Sequence, residues 1–208
     1  MQMLLTGLID MDWLFLIGTA AFSVSGYLVG VKKRFDLLGV LIVAILTAIG
    51  GGVIRDVLLN RTPIVFRDAS PVFVIVVTLA LAWLFSLHKS WSATMDRVLT
   101  VADSIGLIAF SLAGAQVGID FDLNLFGVLC VGFITAVGGG VVRDALVNDV
   151  PFILHRDVYG TLAILMAGLL YWARHQGLAG FWVAWVLFTI GLTLRLVARY
   201  QRARLPRL

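Results

Sequence analysis

Seven stretches of the chain are apolar enough to cross a bilayer: 13–31, 37–59, 71–87, 99–118, 123–147, 157–173 and 179–198. A spanning helix needs about 20 such residues. The runs show no sustained two-residue alternation, which argues against a transmembrane β-barrel. A helix also satisfies its backbone hydrogen bonds internally, as hydrocarbon requires. The pattern therefore predicts an all-α membrane protein with seven transmembrane helices.

Displaced by 88 residues, the chain lies on itself. Residues 22–66 align without a gap to 110–154, with 21 of 45 positions identical. Phe22-Ser23 falls on Phe110-Ser111, Gly26 on Gly114 and Gly30 on Gly118. Thr47-Ala48 falls on Thr135-Ala136, Gly50 to Val53 on Gly138 to Val141, and Arg55-Asp56 on Arg143-Asp144. Asn60 and Pro63 fall on Asn148 and Pro151. Chance likeness between apolar helices would match Leu and Val, not a charged pair behind three glycines. Each copy carries three spans, an odd number, so the second must enter the membrane upside down. The expected organisation is repeat 1 over 12–90, inverted repeat 2 over 99–175, a seventh helix over 179–198 and a basic cytoplasmic tail over 199–208.

Composition agrees with a single membrane domain over 1–208. The chain is 61% hydrophobic and 13% charged, against about 45–50% and 25% in soluble domains. Its net charge of +4 reflects loop asymmetry rather than nucleic-acid binding. Seven spans put Lys32, Lys33, Arg34, Lys89, Arg97, Arg143, Arg156 and the Arg195–Arg207 stretch on one side, 12 of the 16 cations. Arg55, Arg61, Arg67 and Arg174 fall on the other. Positive residues stay inside, so the N-terminus is expected outside and the C-terminus in the cytoplasm of a multi-pass inner-membrane protein. The basic stretch from Arg195 onward is expected against anionic headgroups.

Candidate chemistry lies in the repeated segment. Glycine costs roughly 1 kcal/mol relative to alanine in a helix, so Gly50, Gly51, Gly52, Gly138, Gly139 and Gly140 need a reason. Close helix packing is one; a kinked helix lining a cavity is the expectation adopted for a triplet duplicated beside charges. Arg55, Asp56, Arg143 and Asp144 follow within a turn. Charges inside a span face partners or a hydrated cavity, unless they snorkel to the interface. Adjacent residues point about 100° apart on a helix, so each Arg is expected to pair across helices rather than with its neighbouring Asp. Asp103, inside the fourth span, is the candidate partner of Arg143. Ser23, Ser25, Thr47, Ser111, Gln116 and Thr135 are candidates to line a hydrated path or to tie helices together.

Enzymatic readings fail. Gly-Gly-Val-x-Arg-Asp resembles the nucleotide loop of tRNA nucleotidyltransferases, but no Asp-x-Asp metal pair follows either copy. His88, His155 and His175 fall in expected loops, with no catalytic partners in sight. No metal, cofactor or nucleic-acid partner is expected.

At both triple-glycine helices, the Phe-Ser-x-x-Gly segments and the Asp103-Ser-Ile-Gly-Leu stretch, the chain resembles the prokaryotic branch of the trimeric intracellular cation (TRIC) channel family, also described as a glycine-transporter membrane domain. The resemblance runs from about Asp12 to about Arg199. It implies two inverted three-helix repeats plus a seventh helix, assembled as a homotrimer with one pore per protomer. It further implies passive conduction of monovalent cations, potassium foremost, beside helices 2 and 5 bent at their glycines. Permeant potassium or sodium ions and bound membrane lipid are then the only small partners. Animal members carry basic residues near the kinks and bind phosphoinositides. Here each Arg is followed by Asp, so lipid gating is not expected. The alternative is a secondary carrier for glycine or another small solute, its carboxylate held by positive helix ends. A cation pore has one difficulty: Arg55 and Arg143 repel a cation unless carboxylates neutralise them.

Overall fold

The computed structural model describes residues 2–85, 87, 92–155, 159–178 and 180–201, the side chains of 2–12, His155 and Phe181 excepted. Lys89, His88, Arg156, Asp157 and the tail from Arg202 onward lie outside the described residues. Among the described residues the chain forms eight α-helices: α1 (Gln2–Lys32), α2 (Leu37–Leu58), α3 (Ser70–Leu84), α4 (Ala93–Asp120), α5 (Leu125–Leu146), the short α6 (Phe152–His155), α7 (Gly160–His175) and α8 (Phe181–Tyr200), with a 3-10 turn at Ile64–Phe66.

Among the described residues five helical stretches are long and apolar enough to span a membrane: Trp13–Lys32, Leu37–Leu58, Ala93–Asp120, Leu125–Leu146 and Trp182–Tyr200. The third and sixth expected spans are shorter helices. At 15 and 16 residues, α3 and α7 reach only about 22–24 Å by the 1.5 Å rise. Helix α4 starts at Ala93 rather than near 99, because Ser92 caps it, its hydroxyl accepting the Met95 N–H at 3.4 Å.

The helices start and stop in the same way 88 residues apart. Asp36 caps α2 by accepting the Gly39 N–H at 2.7 Å, and Asn124 caps α5 by accepting the Gly127 N–H at 2.9 Å. Side-chain oxygens at this position satisfy otherwise orphaned donors. After α1 and α4, Arg34 and Asp122 take the left-handed conformation; after α2 and α5, Asn60 and Asn148 do. Asparagine tolerates that region better than most residues and serves as a helix stop. Arg61 N–H then returns to the Asp56 carbonyl and Asp149 N–H to the Asp144 carbonyl, both at 2.9 Å.

Helix α1 packs on α2 and α4, α4 on α5 and α7, α2 on α5, and α8 on α4 and α7. The α1–α4 seam is a reciprocal knob and hole. Phe110 stacks onto Gly18, and Phe22 onto Gly106, with the two rings 5.2 Å apart edge to face. Gly18 and Gly106 are themselves 88 residues apart. A Cβ on Gly18 would sit 2.9 Å from the Phe110 ring, and one on Gly106 would enter the Phe22 ring.

Helical structure continues from Leu37 to Leu58 through Gly50–Gly52, and from Leu125 to Leu146 through Gly138–Gly140, so the glycines do not interrupt either helix. Lacking side chains, Gly51 and Gly139 let the two helices meet backbone to backbone.

Gly106→Ala should destabilise the protein by about 2 kcal/mol through overpacking, and Phe22→Ala in the same chain should recover part of that loss. Thermal unfolding of the purified protein in detergent measures both.

Candidate functional site

The site is the crossing of α2 and α5. Gly51 is held against the Thr135 carbonyl and Gly139 against the Thr47 carbonyl, each so closely that a Cβ would collide with backbone oxygen. A Cβ on Gly138 would lie 2.9 Å from the Gly51 Cα, and one on Gly50 3.6 Å from the Gly139 Cα. The third glycines differ. A Cβ on Gly52 would meet only Phe15, at 3.6 Å, and Arg55 Nη2, at 3.8 Å. One on Gly140 would meet only the Tyr159 hydroxyl, at 3.5 Å, and Arg143 Nη2, at 3.8 Å. Gly51, Gly138 and Gly139 are thus needed for contact, whereas Gly50, Gly52 and Gly140 each have room for a methyl group, the last two beside a guanidinium.

One turn further on, the arginines lie inside the protein rather than at an interface. Arg55 is 2% exposed and Arg143 0%, so neither snorkels. Contrary to expectation, each pairs with its own neighbour: Arg55 Nε donates to Asp56 at 2.7 Å and Arg143 Nε to Asp144 at 2.8 Å. The 100° separation concerns Cβ directions, whereas the four-bond arginine side chain folds back until Nε faces the adjacent carboxylate. The Nη groups remain free to reach across helices. Each carboxylate also accepts a backbone N–H from the turn after its helix, Ile64 to Asp56 at 3.0 Å and Phe152 to Asp144 at 2.9 Å.

Beyond this shared frame the two sites differ. Arg143 Nη1 donates to Asp103 at 2.8 Å and to the Ser25 hydroxyl, and its guanidinium lies 4.6 Å from the Phe152 ring centroid. Asp103 is therefore placed on Arg143, as the sequence suggested. In the 88-residue register the position matching Asp103 is Phe15, and Arg55 stands over that ring at 5.8 Å. Asp56 instead receives a second cation, Arg61, whose Nε lies 2.8 Å from the same oxygen that Arg55 holds. The position matching Arg61 is Asp149, which bonds Lys33 at 2.6 Å.

The small polar residues divide. Ser23, Thr47 and Thr135 are buried and donate to carbonyls of their own helices, at Thr19, Val43 and Val131. Ser111 ties α4 to α7 through the Ala163 carbonyl at 2.6 Å. Gln116 lies apart, donating to Asp120 at 2.7 Å and accepting from Arg174 at 3.1 Å. Only Ser25 touches the charged cluster.

Four participants escaped the sequence reading: Phe15, Arg61, Tyr159 and Arg195. Arg195 was expected among the headgroups; it is 2% exposed, with its guanidinium 4.8 Å from the Tyr159 ring centroid. A position late in an apolar helix does not reveal which face a long side chain takes. Among the described residues, Arg143 Nη2 and Arg195 Nε have no hydrogen-bond partner. A cleft of about 870 Å³ leads from the surface to the cluster, with Asp144 and Phe152 at its lining and Lys32, Lys33, Asp96 and Asp149 around it.

The fold agrees with that of known proteins. A family model described as glycine transporter matches residues 12–89 and 100–176. A UPF0126 membrane protein of Deinococcus radiodurans is 39% identical over 94% of this chain and 91% of its own. The UPF0126 inner membrane protein YadS of Escherichia coli is 36% identical over 74% of this chain and 73% of its own. A TRIC cation channel, solved in work on the structural basis for conductance, is 37% identical with a TM-score of 0.80, over 95% of this chain and 96% of that one. The chain belongs to the prokaryotic branch of the TRIC family. For this member of the family, the duplicated charges are an internal, hydrogen-bonded network of a multi-pass membrane protein rather than an interfacial fringe.

Gly51→Ala and Gly52→Ala should separate the two roles of the triplet. The first drives a methyl into a backbone carbonyl and should cost about 3 kcal/mol or more; the second fits and should leave unfolding within about 0.5 kcal/mol. Parallel unfolding curves in detergent compare them.

Proposed function

We propose that the protein is a monovalent cation channel, permeable to potassium, with one pore in each protomer of a homotrimer. The observation that carries this reading is the buried α2–α5 crossing. There, duplicated arginines are neutralised by Asp56, Asp103 and Asp144, and Gly52 and Gly140 leave room for no more than a methyl group beside the guanidiniums. Neutralised arginines lower the barrier that bare positive charge would raise against a cation. The cleft reaching Asp144 supplies an aqueous approach from one side. Similarity to a solved TRIC cation channel over nearly the whole chain supports the same reading.

In this proposal the architecture is seven membrane helices, two inverted three-helix repeats (12–90 and 99–175) and a seventh helix over 179–198. Support comes from contacts that recur after exchange of the halves. Position 61 meets position 121, Arg61 lying 5.7 Å over the Phe121 ring, and position 149 meets position 33. The N-terminus lies outside the inner membrane and the C-terminus in the cytoplasm, as the loop charges require. Helices α2 and α5 line the path.

One observation favours a second reading. The unpartnered Arg143 Nη2 could take a carboxylate, so a carrier for glycine or another small solute fits the description of the matching family model. Planar-bilayer recording of the purified protein discriminates. Unitary potassium currents are expected, and Gly140→Ala, which fills the space beside Arg143, should reduce their amplitude several-fold with unfolding unchanged. Saturable glycine counterflow without unitary currents would establish the carrier instead.

A further inference from the structure

The two arginine–aspartate pairs look equivalent in the sequence and are not equivalent in the structure. We propose that they divide the work of conduction: Arg143 is a fixed brace, Arg55 is the guanidinium that swings out of the path, and Phe15 and Arg61 are the positioning residues that allow it. This rests on the channel reading.

Arg143 is held by Asp144, Asp103 and Ser25, and it is 0% exposed. Its departure would leave both Asp103 and Asp144 buried without their ion pairs, and removing one partner of a buried pair is strongly destabilising because a bare charge remains. Among the described residues no second cation is ion-paired with Asp103 or Asp144. Arg195 attracts Asp103 only from beyond ion-pair distance, its guanidinium stacked on Tyr159, and nothing of the kind serves Asp144. Asp149, where the first half has Arg61, carries the wrong sign and lies on Lys33.

Arg55 faces the opposite situation. Where Arg143 has Asp103, Arg55 has the half-buried Phe15 ring at 5.8 Å, an attraction weaker than a buried ion pair. Its one carboxylate, Asp56, already holds Arg61 at 2.8 Å on the same oxygen, and the Arg61 side chain is 27% exposed. The Ile64 N–H holds the other oxygen at 3.0 Å. When Arg55 moves, Asp56 therefore stays neutralised by a cation that is itself partly solvated. A Cβ at Gly52 would meet only Phe15 and Arg55 Nη2, so on that side the guanidinium is bounded by a side chain and not by backbone.

The test combines bilayer recording with a footprint that needs no current. Phe15→Asp gives Arg55 the partner that Arg143 already has; open probability should fall ten-fold or more. Arg61→Gln removes the stand-in and should do likewise, and Arg61→Lys should restore it, a rescue that a purely structural role for Arg61 would not show. Open probabilities of Phe15→Asp and Arg61→Gln within two-fold of the parent would overturn the proposal. In parallel, an arginine-directed dicarbonyl reagent is applied to the folded protein and read by mass spectrometry. Arg55 should be modified at least ten-fold faster than Arg143, and equal rates would overturn the proposal. If Phe15→Asp does not fold, Arg61→Gln and the parent footprint decide. If the parent carries no current, the channel reading falls and the footprint alone judges whether the two arginines are unequal.

Discussion

A guanidinium buried inside a bilayer-spanning bundle must be neutralised where it stands, because losing its hydration is costly and its proton cannot be shed. Much else in this structure follows from that requirement. Arg143 draws α5 against α4 through Asp103, against α1 through Ser25, and against the turn after α5 through Asp144. Arg55 does the same on a smaller scale with Asp56, Arg61 and Phe15. The turns that begin at Pro63 and Pro151 are held to the membrane helices by the same carboxylates, which accept the N–H groups of Ile64 and Phe152. One aspartate thus closes both a charge and a helix end.

Bringing these groups together requires the helices that carry them to approach closely. Gly51 and Gly139 meet the carbonyls of Thr135 and Thr47, a contact that no side chain would permit. Hydroxyls that might otherwise compete for the arginines are committed to carbonyls: Ser23, Thr47 and Thr135 bond back along their own helices, and Ser111 bonds across to α7. The polar capacity left at the crossing is therefore concentrated in the arginines, their carboxylates, Ser25 and Tyr159.

Much of this was legible in the sequence. The 88-residue register named the glycines, Arg55-Asp56, Arg143-Asp144 and the stops at Asn60 and Asn148, since charges and glycines repeat only under constraint. Asp103 could be paired with Arg143 from depth alone. What the sequence did not disclose is direction. Spacing on a helix gives the angle of Cβ but not the path of a long side chain, so the Arg–Asp neighbours were read as unpaired and Arg195 as interfacial. Nor does a glycine triplet reveal which of its members touches another backbone; the collisions a Cβ would meet at Gly51 and Gly139 show that. Phe15 was invisible because it lies outside the aligned segment and departs from it in kind, an aromatic ring where the other half has a carboxylate. The difference between the halves is thus carried by the positions where the repeat fails.

The central claim is that Arg143 and Asp103 form a buried, mutually dependent ion pair joining α5 to α4. A double-mutant cycle on reversible unfolding in detergent, with Arg143→Met, Asp103→Leu and the two combined, tests it directly. Arg143→Met strands both Asp103 and Asp144 and should cost about 3–5 kcal/mol, whereas Asp103→Leu leaves Arg143 on Asp144 and should cost about 2 kcal/mol. The double replacement should cost little more than Arg143→Met alone, giving a coupling of about 2 kcal/mol. Additive losses, with no coupling beyond error, would contradict the account.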